Sequence, residues 1–269
     1  IGGGGGIGPE QFLTAFPNCI VEVAEIDPLV VDVCRRFFGA SENGPRVTYH
    51  VGDGRMVIEQ SQHRYDMIIL DAFSSGGRIP GHLATAEFLT LCRDRLKTGV
   101  DGKPIGRLVS NLITGTRIDP NGIRPNATRI LSSHIRTIEA NSLFDAVQPF
   151  VKILDYEYNR EEQTFDRLVT RKENASQYDP LTPDNVIVVC YSARQGMPVT
   201  RSELVAAGER LTRFDRGGEP IVKLATDVFI GHINNRIVGE ELKQLPGLPG
   251  AEIPTDDYTP TDVMVYPSE

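Results

Sequence analysis

The chain has 269 residues, with 28 lysines and arginines against 36 aspartates and glutamates, a formal charge of −8. That length suits one large domain or two small ones with a sizeable core, and the acidic balance argues against a nucleic-acid partner while mildly favouring cationic ligands such as polyamines. A hydrophobic content of 40% beside 24% charged residues is the composition of a soluble globular chain, and no run approaches the roughly 18 apolar residues of a membrane-spanning helix.

Ile1 opens directly into a glycine run, IGGGGGIG. A glycine loop of this kind normally follows a strand, so the natural protein is expected to extend further toward its N-terminus. Gln11 to Phe16 suits a short helix, and Ile20 to Glu25 (IVEVAE) alternates as a strand. A helix is expected from Pro28 through Phe38, with Asp27 as its N-cap and Gly39 as its stop. Val47 to His50 reads as a short strand, Met56 to Gln60 as a short helix, and Tyr65 to Leu70 (YDMIIL) as a buried strand ending on Asp71. This alternation predicts a mainly parallel sheet with helices on both faces.

Beyond a Gly- and Pro-containing loop at Ser74 to Gly81, the pattern predicts a helix over Thr85 to Leu96, a strand over Gly106 to Ile113 and a helix over Asn126 to Leu143. Ala146 to Leu154 and Asn185 to Tyr191 (NVIVVCY) read as the last two strands, separated by a polar excursion from Asp155 to Asp184. Thr200 with Glu203 forms a capping-box start for a helix ending near Arg213. The expected organisation is a nucleotide-binding domain over residues 1–213 and a tail, residues 214–269, packed on it. Cys19, Cys34, Cys92 and Cys190 form no CxxC pair, and buried free thiols in a reducing compartment are expected rather than disulfides or zinc ligands.

The chemistry-bearing residues fall at strand ends. Gly2, Gly4 and Gly6 form a G-x-G-x-G pattern in which glycines admit positive φ and let the backbone approach a ligand closely. Glu25, roughly 20 residues on, ends the next strand, where a carboxylate can accept the hydrogens of ribose hydroxyls. Asp53 and Gly54, in VGDG after the third strand, and Asp71, after the fourth, complete a set of acids in register. Taken singly, Asp53 is also compatible with a turn and Asp71 with a cap. The five histidines, His50, His63, His82, His134 and His232, show no metal-ligand spacing. His82, in IPGHL, suits either the pocket or, more readily, the cap of the next helix.

IGGGGGIG, VAEID, VTYHVGDG and YDMIILDAFSS together resemble the successive motifs of the spermidine synthase family, and TDDYTP at Thr255 to Pro260 resembles a motif near the end of its bacterial members. The resemblance implies a doubly wound, mainly parallel, seven-stranded Rossmann-like sheet of methyltransferase type. It implies that Gly2, Gly4, Gly6, Glu25, Asp53 and Gly54 bind decarboxylated S-adenosylmethionine or S-adenosylmethionine, and that Asp71 is the general base of aminopropyl transfer to a small amine, with methylthioadenosine as product and no metal. Two departures bear on this. Gly5 stands where the family places an acid expected to hold the cofactor's ammonium, and Ser74 where a second acid anchors the far amine of putrescine. Asp256, Asp257 and Tyr258 are the candidate substitutes for that anchor. An S-adenosylmethionine-dependent methyltransferase, a non-catalytic relative and, more distantly, a dinucleotide oxidoreductase are the alternatives. A cytoplasmic location, no membrane contact from this segment and room for a homodimer complete the expectations.

Overall fold

The computed structural model describes residues 1–38, 46–73, 79–114, 129–151, 154–159, 164–170, 184–192 and 251–257. In chain order these form α1 (Ile7–Ala15), β1 (Val21–Glu25), α2 (Pro28–Phe37), β2 (Val47–Val51), α3 (Gly54–Gln60), β3 (Met67–Leu70), a 3₁₀ turn (Gly81–Leu83) and α4 (Ala86–Arg95). They continue with β4 (Arg107–Thr114), α5 (Arg129–Ala140), β5 (Ala146–Val151), β6 (Leu154–Asn159), β7 (Thr164–Thr170) and β8 (Asp184–Tyr191). Among the described residues no helix is long and apolar enough to cross a membrane.

Local chemistry accounts for the starts of these helices. Asp27 accepts from the Leu29 N–H ahead of Pro28, so α2 begins where the sequence signals it. Asp53 caps α3 by accepting from the N–H groups of Arg55 and Met56, and Thr85 caps α4 by accepting from Phe88. The helix α1 starts earlier than the apolar pattern predicts, at Ile7, because Gly6 turns the chain in a left-handed conformation with φ 73°.

Among the described residues the strands do not join into the expected single seven-stranded sheet. β1 and β2 make a parallel pair, β3, β4, β8 and β5 a four-stranded sheet in that order, and β6 with β7 a separate antiparallel hairpin. Between β1 and β3 lies the backbone of Ile1 and Gly2: the Gly2 N–H donates to Ala24 O at 2.9 Å, and Ile1 O accepts from Asp71 N at 2.9 Å. Two residues bridge the pair to the larger sheet without making a strand of their own. β3 and β4 run parallel, while β8 is antiparallel to both β4 and β5, so it alone reverses the common direction within the four-stranded sheet.

Two further boundaries differ. The strand predicted over Ala146 to Leu154 ends at Val151, and the polar excursion that follows contains β6 and β7, whose LDYEYN and TFDRLVT segments alternate well enough to pair with each other. The predicted 200–213 helix and the boundary between residues 213 and 214 lie outside the described residues. From the tail, residues 251–257 pack on the main body: Pro254 O accepts from Ala86 N at 2.8 Å, and Glu252 O accepts from the Ser133 hydroxyl at 2.6 Å.

The core is built where α4 and α5 cover β4 and β8. Phe88, Leu89, Cys92 and Leu96 meet Leu108 and Leu112, with Leu131, Ile135 and Ile138 from α5 and Val186, Val188 and Cys190 from β8. Strict alternation along β4 sends Leu108, Ser110, Leu112 and Thr114 inward. Cys34, Cys92 and Cys190 are buried free thiols, and burial pushes the Cys92 thiol up to about 12, so it packs as a small apolar group. Phe88 is wholly buried at the centre of this cluster. Phe88→Ala is expected to cost about 3 to 5 kcal/mol, transfer and cavity together, in a chemical denaturation experiment.

Candidate functional site

The carboxyl ends of β1, β2 and β3 meet at one level because the Ile1–Gly2 backbone ties them together. The Gly52 N–H reaches back to Glu25 O at 2.9 Å, and the Asp71 N–H reaches Ile1 O at the same distance. In open α/β sheets this is where a crevice for ligands forms.

The glycine loop folds over that crevice. Gly2 has φ 91°, and a Cβ there would run into the Asp71 carbonyl, so no other residue fits both the dihedral and the space. Gly4 has φ 47° and faces open space, which leaves its backbone approachable. Gly6, at φ 73°, starts α1. The Gly3 N–H donates to Glu25 Oε2 at 2.7 Å, and the Asp27 N–H to Glu25 Oε1 at 3.0 Å. Glu25 is thereby held in one orientation while nearly buried, and each of its oxygens keeps a lone pair for a further donor. Beneath the loop the Cys34 thiol donates to Gly4 O at 2.6 Å; burial and then the Glu25 charge push that thiol up, so it stays protonated and donating.

Asp53 is more committed than its sequence context suggests. One oxygen caps α3 through Arg55 N at 2.8 Å and Met56 N at 3.3 Å, and the other meets His82 Nε2 at 2.7 Å. Partial burial raises its pKa, but the Met56 N–H, His82 and the Arg55 N–H outweigh that and hold the carboxyl below the usual carboxylate range. His82 therefore neither caps the next helix, which Thr85 does, nor stands free in the crevice. Gly54 is required because a Cβ there would collide with the Ile1 side chain.

Asp71 is exposed at the mouth of the crevice, and Asn111 Nδ2 donates to its Oδ1 at 2.8 Å. Its Oδ2 has no hydrogen-bond partner among the described residues. The register of β3 with β4 pairs Leu70 with Ser110, which puts Asn111 beside Asp71. Asn111 carried no signal in GRLVSNLI: it lies within β4, and only the pairing of β3 with β4 sets it beside Asp71.

The tail acid Asp256 is a structural clamp. Its two oxygens take the Arg55 guanidinium at 2.6 and 2.5 Å, Thr85 donates to it at 2.9 Å, and its own N–H donates to Glu87 at 3.0 Å. The Arg55 hydrogen bonds hold its carboxyl below the ordinary range against a small desolvation cost, with the Thr85 hydroxyl adding to the effect. Asp257 is exposed beside it, and Tyr258 lies outside the described residues, as does Ser74. Asp256 is thus tied to the N-terminal turns of α3 and α4.

On the adjacent pleat, a small pocket of about 20 Å³, partly open to solvent, is walled among the described residues by Leu70, Ala72, Leu83, Leu112, Ser110 and His134. His134 comes from α5 and is buried, with no partner for Nε2 among the described residues. Burial alone drives its pKa down to about 4, so the ring is neutral near neutral pH.

Residues 1–102 match the family model of the spermine/spermidine synthase domain. The polyamine aminopropyltransferase of Vibrio vulnificus is 33% identical over 121 residues, which are 44% of this chain and 38% of that protein. The chain thus spans less than half the length of the curated relatives it matches. Among solved structures, a probable spermidine synthase from Corynebacterium glutamicum superposes with a TM-score of 0.55 at 21% identity over 84% of this chain and 67% of that one. Human methyltransferase-like protein 13, solved in complex with SAH, does so with a TM-score of 0.52 at 21% identity over 83% and 85%. These two likenesses show the fold: a class I methyltransferase-type α/β domain.

The His134 environment fixes the sign of one pH effect. The unfolded chain takes up a proton near pH 6.5 that the folded chain refuses until about pH 4, so stability is complete above the first value and falls as the pH drops between them. The loss attributable to this group is on the order of 3 kcal/mol. Urea titrations at pH 6.5 and 4 should show His134→Leu losing less stability over that interval than the wild type.

Proposed function

We propose that this chain, whose first 102 residues match the spermine/spermidine synthase domain model, transfers an alkyl group, foremost an aminopropyl group, from an S-adenosyl sulfonium nucleotide to a small amine. The observation that carries the reading is the joint placement of Glu25 and Asp71. The backbone of Ile1 and Gly2 brings both to the carboxyl edge of the sheet, below a glycine loop with an open face.

The residues fit such a nucleotide. Gly4 offers a backbone without a side chain to obstruct it, and Glu25 keeps lone pairs for ribose hydroxyls. Gly5 carries no charge for the nucleotide's tail, so both S-adenosylmethionine and its decarboxylated form remain donors for this reading, with methylthioadenosine the product of the latter. Asp53 supports the adenine side as a fixed negative group, its orientation set by α3 and His82. When bound, the donor supplies an electron-poor carbon whose bond to sulfur breaks as the amine nitrogen's pair forms the new N–C bond, leaving a neutral thioether.

Asp71 supplies what the amine needs. Its charge draws an ammonium to the crevice mouth, its free Oδ2 takes the proton that makes the nitrogen nucleophilic, and Asn111 keeps the other oxygen turned. Holding the amine in line is the remaining contribution, and for a displacement between bound reactants such positioning is a large part of the rate. Asp256 enters indirectly, since its grip on Arg55 fixes the start of α3 that Asp53 caps.

Asp71→Asn keeps the size of the group and an acceptor for Asn111 but removes the proton sink. Nucleotide affinity should survive, while transfer to a small amine falls by roughly 10²- to 10⁴-fold. A variant that turns over at the wild-type rate would remove the catalytic assignment and leave the binding site standing.

A further inference from the structure

The contacts of Asp53 leave its carboxylate a single acceptor position, and His82 decides which one. Oδ1 takes the N–H groups of Arg55 at 2.8 Å and Met56 at 3.3 Å, which occupies both its lone pairs. Oδ2 takes His82 Nε2 at 2.7 Å, and among the described residues it has no second donor. An ionised carboxylate only accepts, so the hydrogen of this pair sits on Nε2. The ring is held from its other end as well. His82 lies in the 3₁₀ turn, whose next residue, Leu83, is buried in the core. Its carbonyl accepts from Arg55 Nη1 at 3.2 Å, and Arg55 is itself gripped by Asp256. The side chains of Asp53 and His82 are both partly exposed, so the pair is reachable from solvent.

The pair stands on one flank of Glu25 and Asp71 on the other. Val51 of β2 pairs with Glu25, and the Gly52 N–H reaches Glu25 O at 2.9 Å, whereas Asp71 lies across Ile1 and Gly2 from β1. A nucleoside whose ribose meets Glu25 and whose sulfur lies toward Asp71 turns its base toward Asp53. Ile26, Val51 and Met56, close to that acid in the chain or across β1 and β2, are exposed apolar side chains that offer faces to a flat ring. A purine with an amino group at C6 brings a donor to the remaining lone pair of Oδ2. One with an oxo group there brings an acceptor and is repelled.

We propose that His82 is the positioning residue for base selection: by donating to Oδ2 it fixes the direction of the one lone pair left on Asp53 and so favours a 6-aminopurine nucleotide over its 6-oxo counterpart. The assignment rests on the transferase reading, in which an S-adenosyl nucleotide occupies the crevice. His82 acts through Asp53 and takes no part in the transfer. Without its hydrogen bond the carboxylate is held through Oδ1 alone, and the amino group of the base loses a partner of fixed direction.

The test compares methylthioadenosine with methylthioinosine, in which an oxo group replaces the amino group, by calorimetric titration into the full chain and its His82→Leu, His82→Ala and His82→Gln variants. The wild type should bind the amino nucleoside at least about tenfold more tightly, since a site built around a substrate N–H discriminates against the analogue lacking it. His82→Leu and His82→Ala should each bring the two nucleosides close to equal affinity, chiefly by weakening methylthioadenosine. His82→Gln, whose side-chain amide supplies a donor in place of Nε2, should restore most of the preference. A preference kept in the leucine and alanine variants, even with a lowered melting temperature, would make His82 a framework residue and overturn the proposal. Equal affinities in the wild type, a glutamine variant that behaves like the leucine one, or failure of both the leucine and alanine variants to fold would overturn it too. If neither nucleoside binds the wild type, the nucleotide reading fails and the proposal with it; if both bind and the variants keep the preference, that reading stands and only the role of His82 is lost.

Discussion

The backbone of Ile1 and Gly2 joins the parallel pair β1–β2 to the sheet that begins with β3, and the rest of the site is placed by that junction. Ile1 N donates to Ile69 O at 2.7 Å, Ile1 O accepts from Asp71, and Gly2 N reaches Ala24, so two residues bond to strands on both sides. The junction tolerates no added bulk at Gly2 and Gly54 and leaves little room at Gly3. A Cβ on Gly2 would strike the Asp71 carbonyl, one on Gly54 would strike Ile1, and one on Gly3 would press against Glu25. The glycines are therefore needed for close packing between backbone segments as much as for positive φ, and that packing brings Glu25 and Asp71 to one edge.

Around this junction the polar residues divide into those that hold the frame and those left available. Asp53, His82, Arg55, Thr85 and Asp256 form one connected set of hydrogen bonds that ties the starts of α3 and α4 to residues 251–257. Its members are engaged with one another. Asp71 Oδ2 has no such partner among the described residues, and in the proposed reading it and the lone pairs left on Glu25 meet the ligand. The division explains how a chain with acids at several strand ends can use them differently: those near Arg55 are satisfied within the protein, while among the described residues Asp71 is engaged only by a neutral amide.

Much of this was legible in the sequence, and what was not has physical causes. The helix start at Asp27 and the strands β1, β3 and β4 follow from capping chemistry and alternation, which are local, whereas α3 begins at Gly54, ahead of the expected Met56, because Asp53 caps it. Glu25 ends β1 and Asp71 follows β3 as expected, because strand ends can be counted. The sheet was misjudged where the outcome depends on pairing between distant segments: β5 stops at Val151, and LDYEYN pairs with TFDRLVT in a hairpin, although each segment alone reads as polar. Asp256 looked like a substrate anchor because its neighbours suggested a terminal motif, and only the position of Arg55, which is 201 residues away in sequence, shows the carboxylate to be occupied. That buried polar atoms of Ser110 and His134 stand unpaired among the described residues left no signal in the sequence, since a serine in a strand and a histidine in an amphipathic helix are ordinary there.

The central claim is that the crevice at Glu25 is a site for an S-adenosyl nucleotide, and calorimetric titration of methylthioadenosine into the wild type and Glu25→Ala tests it most directly. Saturable one-to-one binding to the wild type, weakened by roughly 1.5 to 3 kcal/mol in the variant as a charge-assisted hydrogen bond is lost, is the result this account predicts. Absence of binding to the wild type, or equal affinity in a folded variant, would contradict it.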